Sequence, residues 1–294
     1  MTGLSRWLKR RIPHRYRAIV RAAGRPAAWA GVARSAALDA RDGLDWLRGR
    51  RHPLVPPRKL VRGIGGSLEV GETYLRHFRE LAALGPTEAV LDVDCGAGRM
   101  AVPLTRFLTP PGRYDGFDIV PANAAWCARA ITPRFPHFRF QHADVFNREY
   151  NPFGRTAGRD FRFPYPDAAF DFAFLTSVFT HLMPDDATHY LAEVARVLRP
   201  GGRCLATFFL LNPESTELVD ADRGHVRLHS SDGPARVTDP HMPEACVALD
   251  QAFVFTAGAA AGLAAVEQPY YGSWCGRPDG KDFQDIVVPR KADP

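Results

Sequence analysis

The 294-residue chain is predicted to be a doubly wound α/β protein. Its sheet is expected to be mostly parallel and seven-stranded, with a C-terminal antiparallel hairpin and a basic helical N-terminal extension. Three observations lead to this fold class. From about Gly63 onward, short apolar runs alternate with longer amphipathic ones, the pattern of strands separated by crossover helices. The last two apolar runs leave no room for a crossover, so they must pair as a hairpin at a sheet edge. Charge is also segregated: residues 1–62 hold 16 Lys and Arg against three acids, and residues 63–294 hold 22 against 29.

The extension comes first in the chain. Leu4, Trp7, Leu8 and Ile12 recur at helical spacing, with Lys9 and Arg10 off that face, until Pro13 interrupts. Residues 1–20 therefore read either as a peripheral contact with an anionic membrane or as a solvated or body-packed helical arm. No run of 18 apolar residues occurs, and Arg21, Arg25, Pro26 and Arg34 break the Ala-rich stretch, so neither a transmembrane span nor a signal-peptide core is expected. The Pro- and Arg-rich stretch 50–62 reads as a linker, which divides the chain into an arm (1–62) and a domain (63–294). The domain's acidic balance argues against DNA or another nucleic acid as the partner of the domain itself. Five Cys without a C-x-x-C pair suggest neither a disulfide framework nor a thiolate zinc site, and point to a reducing cytoplasm.

Within the domain, strands are predicted at Ala89–Val93, Arg113–Asp118, Phe138–Gln141, Phe170–Thr176, Arg203–Leu210, Ala264–Tyr271 and Phe283–Val288. Helices are predicted at Leu68–Leu84, Met100–Leu108, Asn123–Ile131 and Asp185–Leu198, with a polar loop of about 30 residues before a helix from Pro243 to Gly262. The first strand runs into Asp92-Val93-Asp94-Cys95-Gly96-Ala97-Gly98, a turn where glycine allows both unusual φ angles and a close ligand. Gly96-x-Gly98-x-x-Ala101 also fits a dinucleotide fingerprint, so the loop alone does not name its ligand. Asp118 ends the second strand, where a carboxylate can take both ribose hydroxyls. Asp144 follows the third, placed to reach an adenine amino group. Together these features describe a nucleoside site.

At these residues the chain resembles the class I S-adenosylmethionine-dependent methyltransferases, over roughly residues 65–294. The family's L-D-x-G-C-G-x-G loop stands here as L-D-V-D-C-G-A-G. Its acid after the second strand matches Asp118, its A-D pair matches Ala143-Asp144, its F-D opening matches Phe170-Asp171, and its L-R-P-G-G turn matches Leu198 to Gly202. The resemblance implies S-adenosylmethionine as cofactor and S-adenosylhomocysteine as product. It implies a cofactor site from Asp92, Asp94, Cys95, Gly96, Ala97, Gly98, Asp118, Ile119, Asp144, Val145 and Thr176. The chain departs from the pattern at Asp94, where the family has a glycine. That carboxylate is expected near the amino-acid end of the cofactor, attracting its ammonium and repelling its carboxylate.

His181, just after the fourth strand, is the candidate catalytic base, because strand carboxyl ends face the ligand crevice and imidazole titrates near neutrality. Acceptor-pocket candidates are Tyr74, Tyr165, Tyr271 and Trp274, from the helix that opens the domain, the 147–166 insert and the terminal hairpin. His225, His229 and His241 lack a metal-ligand spacing, so no metal is expected. The leading expectation is methylation of a small-molecule or glycan hydroxyl. N-, C- or RNA methylation and an inactive cofactor-binding scaffold are the alternatives.

Overall fold

The computed structural model describes residues 26–61, 68–230, 233–265 and 268–293. The expected 1–20 membrane helix lies outside them. The central sheet is built from β1 (Ala89–Val93), β2 (Arg113–Asp118), β3 (Phe138–His142), β4 (Phe170–Leu175) and β5 (Leu198–Phe208), all parallel. Its order is β3-β2-β1-β4-β5, so the chain starts in the middle and winds outward to one edge and then to the other.

Strand residues alternate between two apolar layers, as the pleat requires. Leu91, Val93, Phe117, Ala173 and Ala206 pack into one layer, while Val90, Tyr114, Phe172, Phe174 and Leu205 pack into the other. Because both faces are covered, β1 and β4 are buried along their whole length. The first layer is completed by α5 (Pro184–Val197) and α7 (Gln251–Ala260). The second is completed by α2 (Leu68–Glu80), the short α3 (Ala101–Leu104) and α4 (Pro121–Ala130). Asp171 joins the strands at their starts, its Oδ2 accepting from the Ala89 N–H at 2.7 Å. The opposite strand ends are thereby left to diverge into loops.

After β5 the chain departs from expectation. The region expected to be a loop from 211 and a helix from 243 instead builds a second, four-stranded sheet, with α6 (Pro213–Asp220) following its first strand. The strands are β6 (Leu210–Leu211), β7 (His229–Ser230), β8 (Ala235–Val237) and β9 (Val247–Asp250), in the order β6-β9-β8-β7. V-A-L-D at 247–250 pairs as a strand because both neighbours supply ladder partners. The helix is delayed until Asp250 caps it, accepting from the Phe253 N–H at 2.9 Å.

The predicted terminal hairpin forms in shortened pieces. β10 (Leu263–Ala265) pairs antiparallel with β12 (Pro289–Lys291), and β11 (Asp285–Val287) runs antiparallel to β5. β11 and β12 flank Val288 and both run antiparallel to β5, so the eight strands of this sheet among the described residues occupy seven positions.

The arm preceding the domain is a helix, α1 (Pro26–Leu47), folded back on its linker. Asp42 takes Arg51 at 2.6 Å and Arg58 at 2.5 Å, Asp45 takes Arg58 at 2.7 Å, and Asp39 takes Lys59 at 3.1 Å. Leu54 is buried in the α2 layer. No helix among the described residues is long and apolar enough to cross a membrane.

Candidate functional site

The carboxyl ends of β1, β2 and β4 open into two adjoining clefts. The first, of about 820 Å³, is lined by the loop Asp94 to Ala97 with Asp92, Arg99 and Met100. Asp118 to Val120, Asn123, Tyr150, Thr176, Ser177, His181, Leu60 and Val61 complete its wall. The second, of about 1070 Å³, is walled by Phe117, Val145, Phe146, Val178, Leu182 and Tyr190 together with Asn147, Arg159, Asp186 and Glu244, among others. Asp94, Ile119, Tyr150 and His181 belong to both. A group held in one cleft therefore meets a group held in the other at these four residues.

The loop of the first cleft needs left-handed backbone at Asp94 (φ 64°), Gly96 (φ 55°) and Gly98 (φ 79°). The two glycines serve different ends. A Cβ at Gly98 would lie 2.9 Å from Ile131 Cδ1 and 3.0 Å from Cys127 Sγ, so this glycine lets α4 pack. A Cβ at Gly96 would meet nothing within 4 Å and would project into open space, where a ligand can approach the backbone.

Three carboxyls gather beneath this loop. Asp118 accepts from Gly96 N–H and Val120 N–H, both at 2.7 Å, and from Asn123 Nδ2 at 3.2 Å, fixing it against the turn. Asp94 accepts from the Ile119 N–H and shares a hydrogen bond with the Asp118 carboxyl. Burial, reinforced by the charge on Asp94, holds Asp118 well above the usual carboxylate range, and burial raises Asp94 as well. Asp94 thus sits beside the expected ribose acid and does not extend away from it.

Asp92 is fully buried. Tyr114 donates its hydroxyl hydrogen to Oδ2, and Oδ1 has no partner among the described residues. Burial pushes its carboxyl up to about 8, the Tyr114 hydrogen bond opposes the rise, and the neighbouring Asp94 charge adds to it. An unpaired buried carboxylate oxygen at a cleft wall fits a cationic ligand group, because such an atom is costly to leave unsatisfied.

His181 closes a 3₁₀ turn after β4. Its Nδ1 lies 2.9 Å from the Glu244 carbonyl oxygen, so Nδ1 carries the hydrogen and Nε2 keeps its lone pair. The ring is braced edge-on by Tyr150, with centroids 5.4 Å apart. Asp94 is near enough to interact with it electrostatically.

Among the expected cofactor residues, Asp92, Asp94, Cys95, Gly96, Ala97, Asp118, Ile119 and Thr176 line the first cleft. Gly98 lies behind it as a packing residue. Asp144 does not reach it: Arg155 from the following insert pairs with its carboxylate and turns it to the outside. Val145 lines the second cleft instead of the first.

None of the four expected acceptor rings lines either cleft. Tyr74 packs against His77 and Phe78 in the α2 layer. Tyr165 lies against Phe170 in the core at 5.0 Å. Tyr271 lies beneath the Arg277 guanidinium at 4.5 Å. Trp274 is fully buried, its Nε1 donating to Asp285 Oδ2 at 2.7 Å. Asp285 also accepts from Leu210 N–H at 2.8 Å and Gly272 N–H at 2.7 Å, so the ring-rich segment ties the second sheet to the first.

The aromatic residue that does line both clefts is Tyr150. It lies in the 147–166 insert whose mixture of rings and arginines was the available signal, but composition cannot say which ring faces inward. Asp186 and Glu244 had no signal at all. Among the described residues no group of three or more His, Cys, Asp or Glu is disposed to hold a metal ion.

Comparison with known proteins agrees with this geometry. A family described as "Methyltransferase domain" matches residues 91–206. The chain is 35% identical over 118 residues to phthiotriol/phenolphthiotriol dimycocerosates methyltransferase 1 of Mycobacterium ulcerans (strain Agy99), covering 40% of this chain and 36% of that one. It is 30% identical over 161 residues to 27-O-demethylrifamycin SV methyltransferase of Amycolatopsis mediterranei (strain S699), covering 53% of each. The matched stretches thus span about half or less of these relatives' lengths.

Two solved structures share the fold. A protein of Pyrococcus horikoshii OT3 superposes with a TM-score of 0.54 at 15% identity, over 81% of this chain and 96% of that one. A SAM-dependent methyltransferase of Methanosarcina mazei superposes with a TM-score of 0.50 at 16% identity, over 73% and 97%. The glycine loop and the acid after β2 fall within the matched span, and over residues 91–206 the chain matches the methyltransferase-domain family.

Proposed function

We propose that the protein transfers the methyl group of S-adenosylmethionine to a hydroxyl of a small molecule or glycan, leaving S-adenosylhomocysteine. The cofactor supplies, when bound, a methyl group already activated on a sulfonium. The residues of the first cleft fit it. The unpaired Oδ1 of Asp92 suits its α-ammonium, Asp118 beside Gly96 suits the ribose hydroxyls, and the bare face of Gly96 admits it to the backbone.

The second cleft is the acceptor site in this reading. Its apolar walls at Phe117, Ile119, Val145 and Val178 exclude water, and its polar groups orient the acceptor. A hydroxyl is a weak acid and needs a base as its oxygen attacks. The acceptor proton passes to Nε2 of His181, whose lone pair is kept available because the Glu244 carbonyl holds the hydrogen on Nδ1. Tyr150 holds the imidazole plane.

The observation that carries the proposal is the place of His181, on the wall common to both clefts with its tautomer fixed. The name of the 27-O-demethylrifamycin SV relative, which points to an oxygen acceptor, supports the choice of hydroxyl.

Incubation with methyl-labelled cofactor and panels of polyketide alcohols, phenols and glycans, read by mass spectrometry, identifies the acceptor. With that acceptor, His181→Ala should lower kcat about a hundredfold, with cofactor affinity unchanged within about threefold. A fall in kcat of less than about threefold would remove His181 from the role of base.

A further inference from the structure

We infer that the C-terminal end of α1 is an interfacial anchor that docks on an anionic lipid bilayer, at a place distinct from the cofactor and acceptor clefts. Among the described residues, the large exposed apolar side chains of the arm are clustered there: Leu44 is 50% exposed, Trp46 66% and Leu47 75%. Leu44 and Leu47 stand one helical turn apart on one face. Gly43 is a turn from both Leu47 and Trp46, and a Cβ there would meet nothing within 4 Å, so the three side chains border one uncovered surface.

Charge selects what that surface meets. The three acids of α1, Asp39, Asp42 and Asp45, are all tied to Lys59, Arg51 and Arg58 of the linker. Arg41, Arg48 and Arg50 are exposed beside the apolar residues; Arg41 and Arg50 share the field of Asp45 with Arg58, so basic groups outnumber the acids at this end of the helix. Apolar side chains flanked by an excess of arginines match the chemistry of a bilayer interface carrying anionic headgroups.

The segregation over the whole chain sets the orientation. Residues 1–62 are strongly basic and the remainder carries more acids than bases, so the same field that attracts the arm turns the domain away from the surface. The linker runs directly from this anchor to Leu60 and Val61 on the wall of the first cleft.

The test is co-sedimentation of the full-length protein with vesicles of phosphatidylcholine carrying about one-third phosphatidylglycerol, and with pure phosphatidylcholine. The protein should bind the anionic vesicles, and raised salt should release it. Changing Leu44, Trp46 and Leu47 together to Gln should weaken binding about tenfold or more, because each removes apolar area from the contact. Arg41→Gln with Arg48→Gln should weaken it as well while leaving the apolar surface in place, and an unchanged melting temperature in both variants shows that the fold is kept.

Three results would overturn the inference. One is failure of the wild type to bind. Another is equal binding of wild type and variants, which would assign the contact to residues 1–25. The third is a wild-type dimer by light scattering that the Leu44, Trp46 and Leu47 changes convert to monomer.

Discussion

At the scale of single residues, the site turns on how three buried carboxyls share charge. Asp94 occupies a left-handed position (φ 64°) that glycine takes without strain, and its carboxylate is spent on Asp118 and the Ile119 N–H. Asp94→Gly should therefore relieve about 1 kcal/mol of backbone strain and remove a neighbouring charge that adds to the effect of burial on Asp118. Cofactor affinity measured by calorimetry should rise about tenfold, and a weaker or equal affinity would show that Asp94 itself holds the ligand. Asp92 presents the opposite case. With its carboxyl raised to about 8, it is largely protonated at neutral pH in the free protein. An ammonium placed against Oδ1 favours the charged form, so cofactor binding at pH 7 should release close to one proton. Calorimetry in two buffers of different ionisation enthalpy measures that proton, and Asp92→Asn should abolish it.

At the scale of elements, the glycine loop holds its shape because α2 is pressed against it. A Cβ at Gly71 would lie 2.2 Å from the Arg99 carbonyl oxygen, a backbone atom that cannot swing aside. Gly71→Ala should force α2 off the loop, costing about 1–3 kcal/mol in chemical denaturation and weakening cofactor binding in parallel. Unchanged stability would mean that the helix is free to slide. The packing of the same helix explains why Tyr74 lies away from both clefts. Helical spacing puts Tyr74 and Phe78 on one face, and that face is the core face: Phe78 packs 4.4 Å from Phe174, and Tyr74 follows it inward. Periodicity gives the face of an element and not what the face meets. In the ring-rich terminal segment, likewise, Trp274 is committed to Asp285 and Tyr271 to Arg277.

At the scale of the whole molecule, buried acids make stability depend on pH in an unusual sense. Asp92, Asp94, Asp118 and Asp285 are all raised, each chiefly by burial. An acid with a raised folded pKa keeps its proton after the unfolded chain has lost it, so its contribution is fully present below about pH 4 and is lost as pH rises toward the folded value. Acids that are lowered, such as Asp282 and Glu193, have already given their gain by about pH 5. Between about pH 5 and 8, therefore, the melting temperature of the cofactor-free protein should fall as pH rises, and Asp92→Asn should flatten that slope. A melting temperature that climbs over this window would show that these carboxyls are already ionised in the folded state.

The sequence by itself determined the parallel core, because β1 and β4 are buried along their whole length and so read as mainly apolar runs closed by turn residues. It also determined the loop residues of the first cleft, since a tight turn and its flanking acids are adjacent in the chain. The second sheet was decided by the tertiary structure, because V-A-L-D at 247–250 becomes a strand only where β6 and β8 offer it ladder partners. Tertiary structure also decided the acceptor cleft. Tyr150, Asp186 and Glu244 are far apart in sequence and meet at His181 only when the insert, the start of α5 and the second sheet pack over the ends of the strands. It decided the fate of Asp144 too, since an acid correctly placed after its strand was taken by Arg155, eleven residues on. Local signals fix backbone shape over a few residues, but the direction a side chain finally takes depends on which distant partner satisfies it first.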